Sequence, residues 1–197
     1  MKVNWNLGKF GMPIKINGKL GKFDRIMKTL ESAIRSKVRQ ALIEDAKFDI
    51  TSDALDLKGI AVAQIISEEN GIVCGILEAK EAFDGLKIKV LKNDGQKIKK
   101  GDAILTIEGN IKQILRRERI ALNYLQLLSG IATETRKLAD KVGIGKVAAM
   151  RKNHPLLAES EKRAVQVGGG ITHRLNLMDG ILIKDNHLDF LRRKFIL

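Results

Sequence analysis

Residues 146–187 read KVAAMRKNHPLLAESEKRAVQVGGGITHRLNLMDGILIKDNH, and their pattern decides the fold. Residues 147–150 form a short apolar run that ends in the basic pair Arg151-Lys152. Pro155 stands where a helix begins, a position that does not need its missing N–H. The helix predicted from there ends near Val167, because Gly168, Gly169 and Gly170 follow. His173-Arg174 comes next, and a second apolar run, Ile181-Leu182-Ile183, leads into Lys184-Asp185-Asn186-His187. Two apolar runs around one helix predict a βαβ unit with parallel strands. Ligands of such units bind at the carboxyl ends of the strands. The pattern places Arg151, Lys152 and Lys184 there, with His173 and Arg174 on a neighbouring turn. Four fixed cations and a histidine around one point predict a substrate with several negative charges.

Each of these residues has a plainer reading. An isolated Arg-Lys pair is a pair of surface charges, and His173-Arg174 alone is a turn. Three glycines before that turn permit close backbone approach to a ligand. Lys184 follows three apolar residues expected to be buried, so its ammonium either snorkels or meets an anion. The three histidines and the single cysteine have no zinc spacing, and no structural metal is expected.

The chain has 197 residues, 44% hydrophobic and 30% charged, which suits one sizeable domain or two small ones. Its formal net charge is +13. Residues 1–110 hold 19 Lys+Arg against 15 Asp+Glu, and residues 111–197 hold 17 against 8, so the excess lies with the motifs. A basic nucleic-acid-binding protein is the competing reading. One Trp and one Tyr offer little for base stacking, and small anionic substrates account for the bias. No run is long and apolar enough to span a bilayer, and the lysine-studded N-terminus is no signal peptide. One cysteine permits no internal disulfide, so a reducing cytoplasm is the expected compartment.

Residues 1–30 are Gly- and Lys-rich with scattered hydrophobics and are not placed as a unit; only the start of a helix falls within them. Ile26, Leu30, Ile34, Val38 and Leu42 predict a helix over about 24–43, and Asp49 or Thr51 caps a following turn. Strands are predicted at Ala61–Ser67, Ile72–Leu77, Leu86–Leu91 and Ala103–Ile107, with a short helix at Glu78–Phe83. The segment DGQKIKKGDAILTIEG is similar to the hairpins of lipoyl or biotin carriers but lacks their lysine context. Residues 111–142 predict two helices that part at Ser129-Gly130, with Ile111, Ile114, Leu115, Leu122, Leu125 and Leu128 as the apolar stripe. Arg119, one turn from Leu115 and Leu122, borders that stripe and is expected to need an anion or a carbonyl.

Three motifs, MRKNHPL at 150–156, GGGITHR at 168–174 and LIKDNH at 182–187, resemble the signatures of the quinolinate phosphoribosyltransferase family. Those signatures are TRKT-x-PG, G-G-G-x-x-H-R and L-I-K-D-N-H. Met150, Asn153 and Leu156 depart from the first of them. Residues 118–133 are similar to the family's ER-x-ALN-x-L-x-x-LSGIAT, and the likeness covers about residues 35–190. It implies an α+β N-terminal domain, a small antiparallel sheet with helices, over residues 1–112. It implies a helical connection and the first βα units of an open α/β (TIM-like) barrel over residues 113–197, incomplete in this chain.

The implied reaction joins quinolinate to phosphoribosyl pyrophosphate with loss of CO2, giving nicotinate mononucleotide and pyrophosphate in NAD biosynthesis. The likeness implies Arg119 (donated by a partner subunit in a homodimer or larger homo-oligomer), Arg151, His173, Arg174 and Lys184 for quinolinate. It implies Lys152 for phosphoribosyl pyrophosphate, counts Lys152 and Lys184 as catalytic, and brings Mg2+ in with the pyrophosphate. The family's ribose-holding acids and glycine-rich phosphate loop belong to later units. The chain is therefore expected to be a fragment, a split gene or a shortened reading frame, without phosphoribosyl transfer of its own. An inactive remnant that still dimerises and the molybdenum-associated paralogue are the alternatives within the family.

Overall fold

The computed structural model of the chain describes residues 20–194, with side-chain surroundings for residues 30–193. Residues 1–19, which carry no predicted element, and residues 195–197 lie outside the described residues. The predicted first helix is present as α1 (Leu20–Asp45). Its four-residue spacing buries Ile34 and Val38 completely. Asp49 caps α2 (Ile50–Ala54), accepting the Ser52 amide at 3.1 Å.

A three-stranded antiparallel sheet follows, in the order β1 (Ile60–Ile66), β5 (Ala103–Asn110), β3 (Lys87–Val90). Val62 pairs with Glu108, and Ile88 pairs with Ile107. The outer strands alternate exposed and half-buried residues, as strands with one wet face do, while central β5 buries Ile104, Leu105 and Ile107. Lys97–Ile98 (β4) pairs with β2 (Gly71–Ile72) and not with β5, so the carrier-like hairpin does not form.

The strand predicted over Ile72–Leu77 stops at Ile72, and residues from Ile76 belong to α3 (Ile76–Ala82). Gly75 takes φ +114°, and one oxygen of Asp94 accepts the amides of both Gly75 and Ile76 at 3.0 Å. That carboxylate satisfies the donors that open a helix, which no pattern of apolar residues reveals.

Residues 111–142 form one uninterrupted helix, α4 (Ile111–Val142), where two were predicted. The Ser129 hydroxyl takes the Cys74 amide and donates to the Cys74 carbonyl, each at 3.0 Å. Thr133 accepts the Ile72 amide at 2.9 Å. Ser129-Gly130 is thus a docking point on the helix for residues 72–74 and not a break in it. One apolar cluster, including Val38, Val73, Phe83, Leu105, Ile107, Ile114 and Leu125, fills the space between the sheet and α1, α3 and α4. A second, of Ile72, Cys74, Leu128, Ala132 and Ala164, joins α4 to α5 (Ala158–Val167).

The parallel pair is β6 (Ala148–Ala149) with β7 (Ile171–Thr172), flanking α5. The βαβ unit is therefore present, but its second strand follows directly on Gly170. Ile181–Ile183 is no strand, and Ile181 is 96% exposed. A parallel strand needs a paired neighbour and covered faces. Ala148–Ala149 supplies the paired neighbour to Ile171–Thr172, and among the described residues no strand pairs with Ile181–Ile183. Residues 185–194 form α6 (Asp185–Lys194).

Candidate active site

Ala149 lies opposite Thr172 in the parallel register. The chain therefore leaves β6 into Arg151-Lys152 and leaves β7 into His173-Arg174 side by side. Arg151, Lys152 and His173 are exposed, and Arg174 is half-buried. The two turns thus bring together four of the six predicted residues at the carboxyl end of the pair. His173 and Arg174 prolong β7 itself, where a separate neighbouring turn was predicted.

The other two, Lys184 and Arg119, do not lie at the ends of β6 or β7. Lys184 follows no strand; it is exposed, and its amide donates to Nδ1 of His187 at 2.9 Å, at the start of α6. The three preceding apolar residues, expected to be buried, are exposed. Arg119 lies on the exposed side of α4 beside Leu115, which is itself 38% exposed, so Leu115 falls outside the buried stripe while Ile114, Leu125 and Leu128 lie in it. The buried face runs through Ile114, Ala121, Leu125, Leu128 and Ala132. Arg119 makes no hydrogen bond or ion pair with the described residues of its own chain, and the carbonyl or anion it was expected to find is absent from them.

The glycines also serve the packing of the fold. A Cβ on Gly168 would lie 2.5 Å from the Ala132 carbonyl, and one on Gly170 would lie 2.9 Å from the Val147 carbonyl. These close approaches are to α4 and to Val147, just before β6, and they seat β7. Arg174 takes φ +50° and Leu156 φ +66°, a region costly for residues with a Cβ. Leu156 occupies the position of the glycine in the similar family signature, so the backbone there keeps a glycine's conformation under a leucine.

The support for both turns comes from α5, whose residues 160–163 are polar and all buried. Ser160 donates to Glu78 at 2.8 Å, and Arg163 forms ion pairs with Glu78 and Asp94. These contacts fasten α5 to α3 of the N-terminal unit. Burial works against the Arg163 charge, but Glu78 and Asp94 beside it hold its pKa above the ordinary value. Glu161 accepts the Asn153 amide side chain and the His154 backbone amide at 3.2 Å each, and it also pairs with His154 Nδ1. Lys162 donates to the carbonyls of Met150 at 3.2 Å and His173 at 3.0 Å, with a longer contact to Ala149 at 3.4 Å.

Sequence reasoning missed all four residues. The available signal was that α5 lies between two strands yet carries little besides Ala164, Val165 and Val167 as apolar cover. A helix in that position with so few apolar residues must bury polar ones.

The site offers cations and hydrogen-bond donors on two adjacent turns and no candidate nucleophile. Cys74 is fully buried, and burial, with Asp94 nearby, raises its thiol far above the ordinary range. Among the described residues no three His, Cys, Asp or Glu come together as metal ligands. No described helix is long and apolar enough to cross a membrane.

The chain matches two family models: quinolinate phosphoribosyl transferase, N-terminal domain, over residues 49–129, and the corresponding C-terminal domain over 131–193. The two meet within α4. A probable nicotinate-nucleotide pyrophosphorylase [carboxylating] of Methanothermobacter thermautotrophicus is 41% identical over 160 residues, 77% of this chain and 57% of the relative. One of the same description from Methanocaldococcus jannaschii is 42% identical over 159 residues, covering 77% and 56%. The solved nicotinate-nucleotide pyrophosphorylase of Francisella tularensis superposes with a TM-score of 0.75 at 36% identity, over 81% of this chain and 59% of that one. The chain spans about half the length of the curated relatives it matches. An α+β unit with an antiparallel sheet, the opening βα unit of an α/β barrel and both domain matches agree, and the chain belongs to the quinolinate phosphoribosyltransferase family.

Proposed function

We propose that the chain serves phosphoribosyl transfer from phosphoribosyl pyrophosphate to quinolinate, with decarboxylation to nicotinate mononucleotide, in NAD biosynthesis. The observation that carries this reading is the placement of Arg151, Lys152, His173 and Arg174 just beyond the adjacent carboxyl ends of β6 and β7. Quinolinate carries two neighbouring carboxylates. Arginine grips a flat carboxylate through two N–H groups, and lysine serves phosphate oxygens as a point charge. Arg151, His173 and Arg174 therefore fit the dicarboxylate, and Lys152 fits the phosphates. Positive charge fixed in advance favours both displacement of pyrophosphate by the ring nitrogen and loss of the 2-carboxylate. Magnesium enters as part of the substrate, on the pyrophosphate, and keeps most of its waters.

Arg119 serves the same site in a partner subunit. Its exposure, and the lack of any described partner on its own chain, support that assignment. Lys184, exposed just before α6, is assigned to quinolinate and to the catalytic set by the same reading.

The test is ligand selectivity. Quinolinate should bind the chain at least tenfold more tightly than nicotinate, because one carboxylate leaves part of the cationic cluster without a partner. Equal titration of both by calorimetry would overturn the assignment.

A further inference from the structure

We propose that Lys162 is a positioning residue: its ammonium ties the carboxyl ends of β6 and β7 together, and that tie makes the two cationic turns converge on one ligand. This rests on the reading of the turns as a quinolinate site.

The parallel pair is short, two residues against two. So few ladder bonds leave the ends of the strands free to splay, and Arg151, Lys152, His173 and Arg174 all lie beyond those ends. Lys162 reaches both turns from α5. It is 2% exposed, and its Nζ lies 3.2 Å from the Met150 carbonyl and 3.0 Å from that of His173, with Ala149 at 3.4 Å. An ammonium has three N–H donors, and three carbonyls face it. Two belong to the exit from β6 and one to the exit from β7. The His173 carbonyl is turned inward by this contact, and the next residue, Arg174, takes φ +50°. Such a conformation persists when the surroundings enforce it.

A purely packing role would be served as well by an apolar side chain of the same length, without the cost of burying a charge. Burial lowers the Lys162 pKa, the positive charge of Arg151 lowers it further, and Asp179 opposes them. The protein thus keeps a charge in an unfavourable place, where it reaches backbone oxygens on two strands at once.

The test uses the full chain with Lys162→Met, alone and combined with Arg151→Ala. Two readouts are taken: amide hydrogen exchange in peptides covering 148–154 and 171–176, and quinolinate affinity. Lys162→Met should speed exchange in both peptides together by at least tenfold while peptides from α4 stay protected. It should weaken quinolinate at least tenfold, and that loss should shrink to less than twofold when Arg151 is already alanine. A residue that only stabilises the fold would give equal losses in both backgrounds and general loss of protection. Unchanged exchange at the two strand ends overturns the proposal whatever the ligand result. If the unaltered chain binds no quinolinate while Lys162→Met frees both strand ends, the tie stands and the assigned substrate falls. Should Lys162→Met not fold, Lys162→Gln, which keeps a polar tip without the charge, should show the same coupled exchange, and its absence there overturns the proposal equally.

Discussion

At the scale of single residues, Arg151 and Leu156 give the sharpest expectations. Arg151 is exposed and makes no described hydrogen bond, so it is available to a ligand and contributes little to the fold. Arg151→Ala should leave thermal stability nearly unchanged and weaken quinolinate by ~1.5–3 kcal/mol, the usual worth of hydrogen bonds to charged groups. Arg151→Lys should recover only part of this, because a point charge does not grip a carboxylate through two bonds. Calorimetric titration of both variants checks the expectation. Leu156 holds a left-handed backbone at φ +66° with its side chain 75% exposed, so it bears the strain and gains little from burial. Leu156→Gly should stabilise the chain by ~1 kcal/mol, the cost of placing a Cβ in that region, as measured by urea unfolding. The sequence marked this position correctly as a departure from the similar family signature. It gave no account of what the departure costs, because φ is not written in residue type.

At the scale of elements, α5 carries the arrangement. Ser160 and Arg163 face the N-terminal unit, Glu161 faces the 153–154 turn, and Lys162 faces the strand ends. Arg163 bridges Glu78 and Asp94, and Asp94 also opens α3. Removing one member of a buried charge group leaves the others uncompensated, which costs ~3–5 kcal/mol. Arg163→Met should destabilise the chain by that amount, and denaturant unfolding followed by circular dichroism measures it. These polar contacts explain where the sequence was legible and where it was not. The βαβ order and the placing of Arg151-Lys152 followed from apolar runs and glycines. The second strand was misplaced at Ile181–Ile183 because apolar character was weighed above pairing, while Ile171–Thr172 is two residues long and seated by Gly168 and Gly170 against α4 and β6. Residues 111–142 were split at Ser129-Gly130 because side-chain hydroxyls that dock another segment look in sequence like a helix stop.

At the scale of the whole molecule, charge and fold combine. Several carboxylates titrate below their ordinary range. Glu81 is pushed up by burial, but Arg35 and Arg39 on α1 outweigh that and lower it. Lys37 on α1 likewise lowers Glu159 on α5 against the effect of its burial. A carboxylate lowered in the folded state adds stability above its unfolded pKa and loses it as pH falls through the folded one. Stability should therefore hold above about pH 5 and decline steadily below about pH 4, with α1 released first, which pH-dependent exchange over residues 30–45 reads directly. The excess of basic residues in 111–197 stands in the half that carries the two cationic turns. The most direct test of the central claim is a crystal structure of the chain with quinolinate. Density for the dicarboxylate is expected between residues 150–152 and 173–174, with its carboxylates on Arg151 and Arg174. Density elsewhere on the molecule, or none at saturating quinolinate with both turns well ordered, would contradict it.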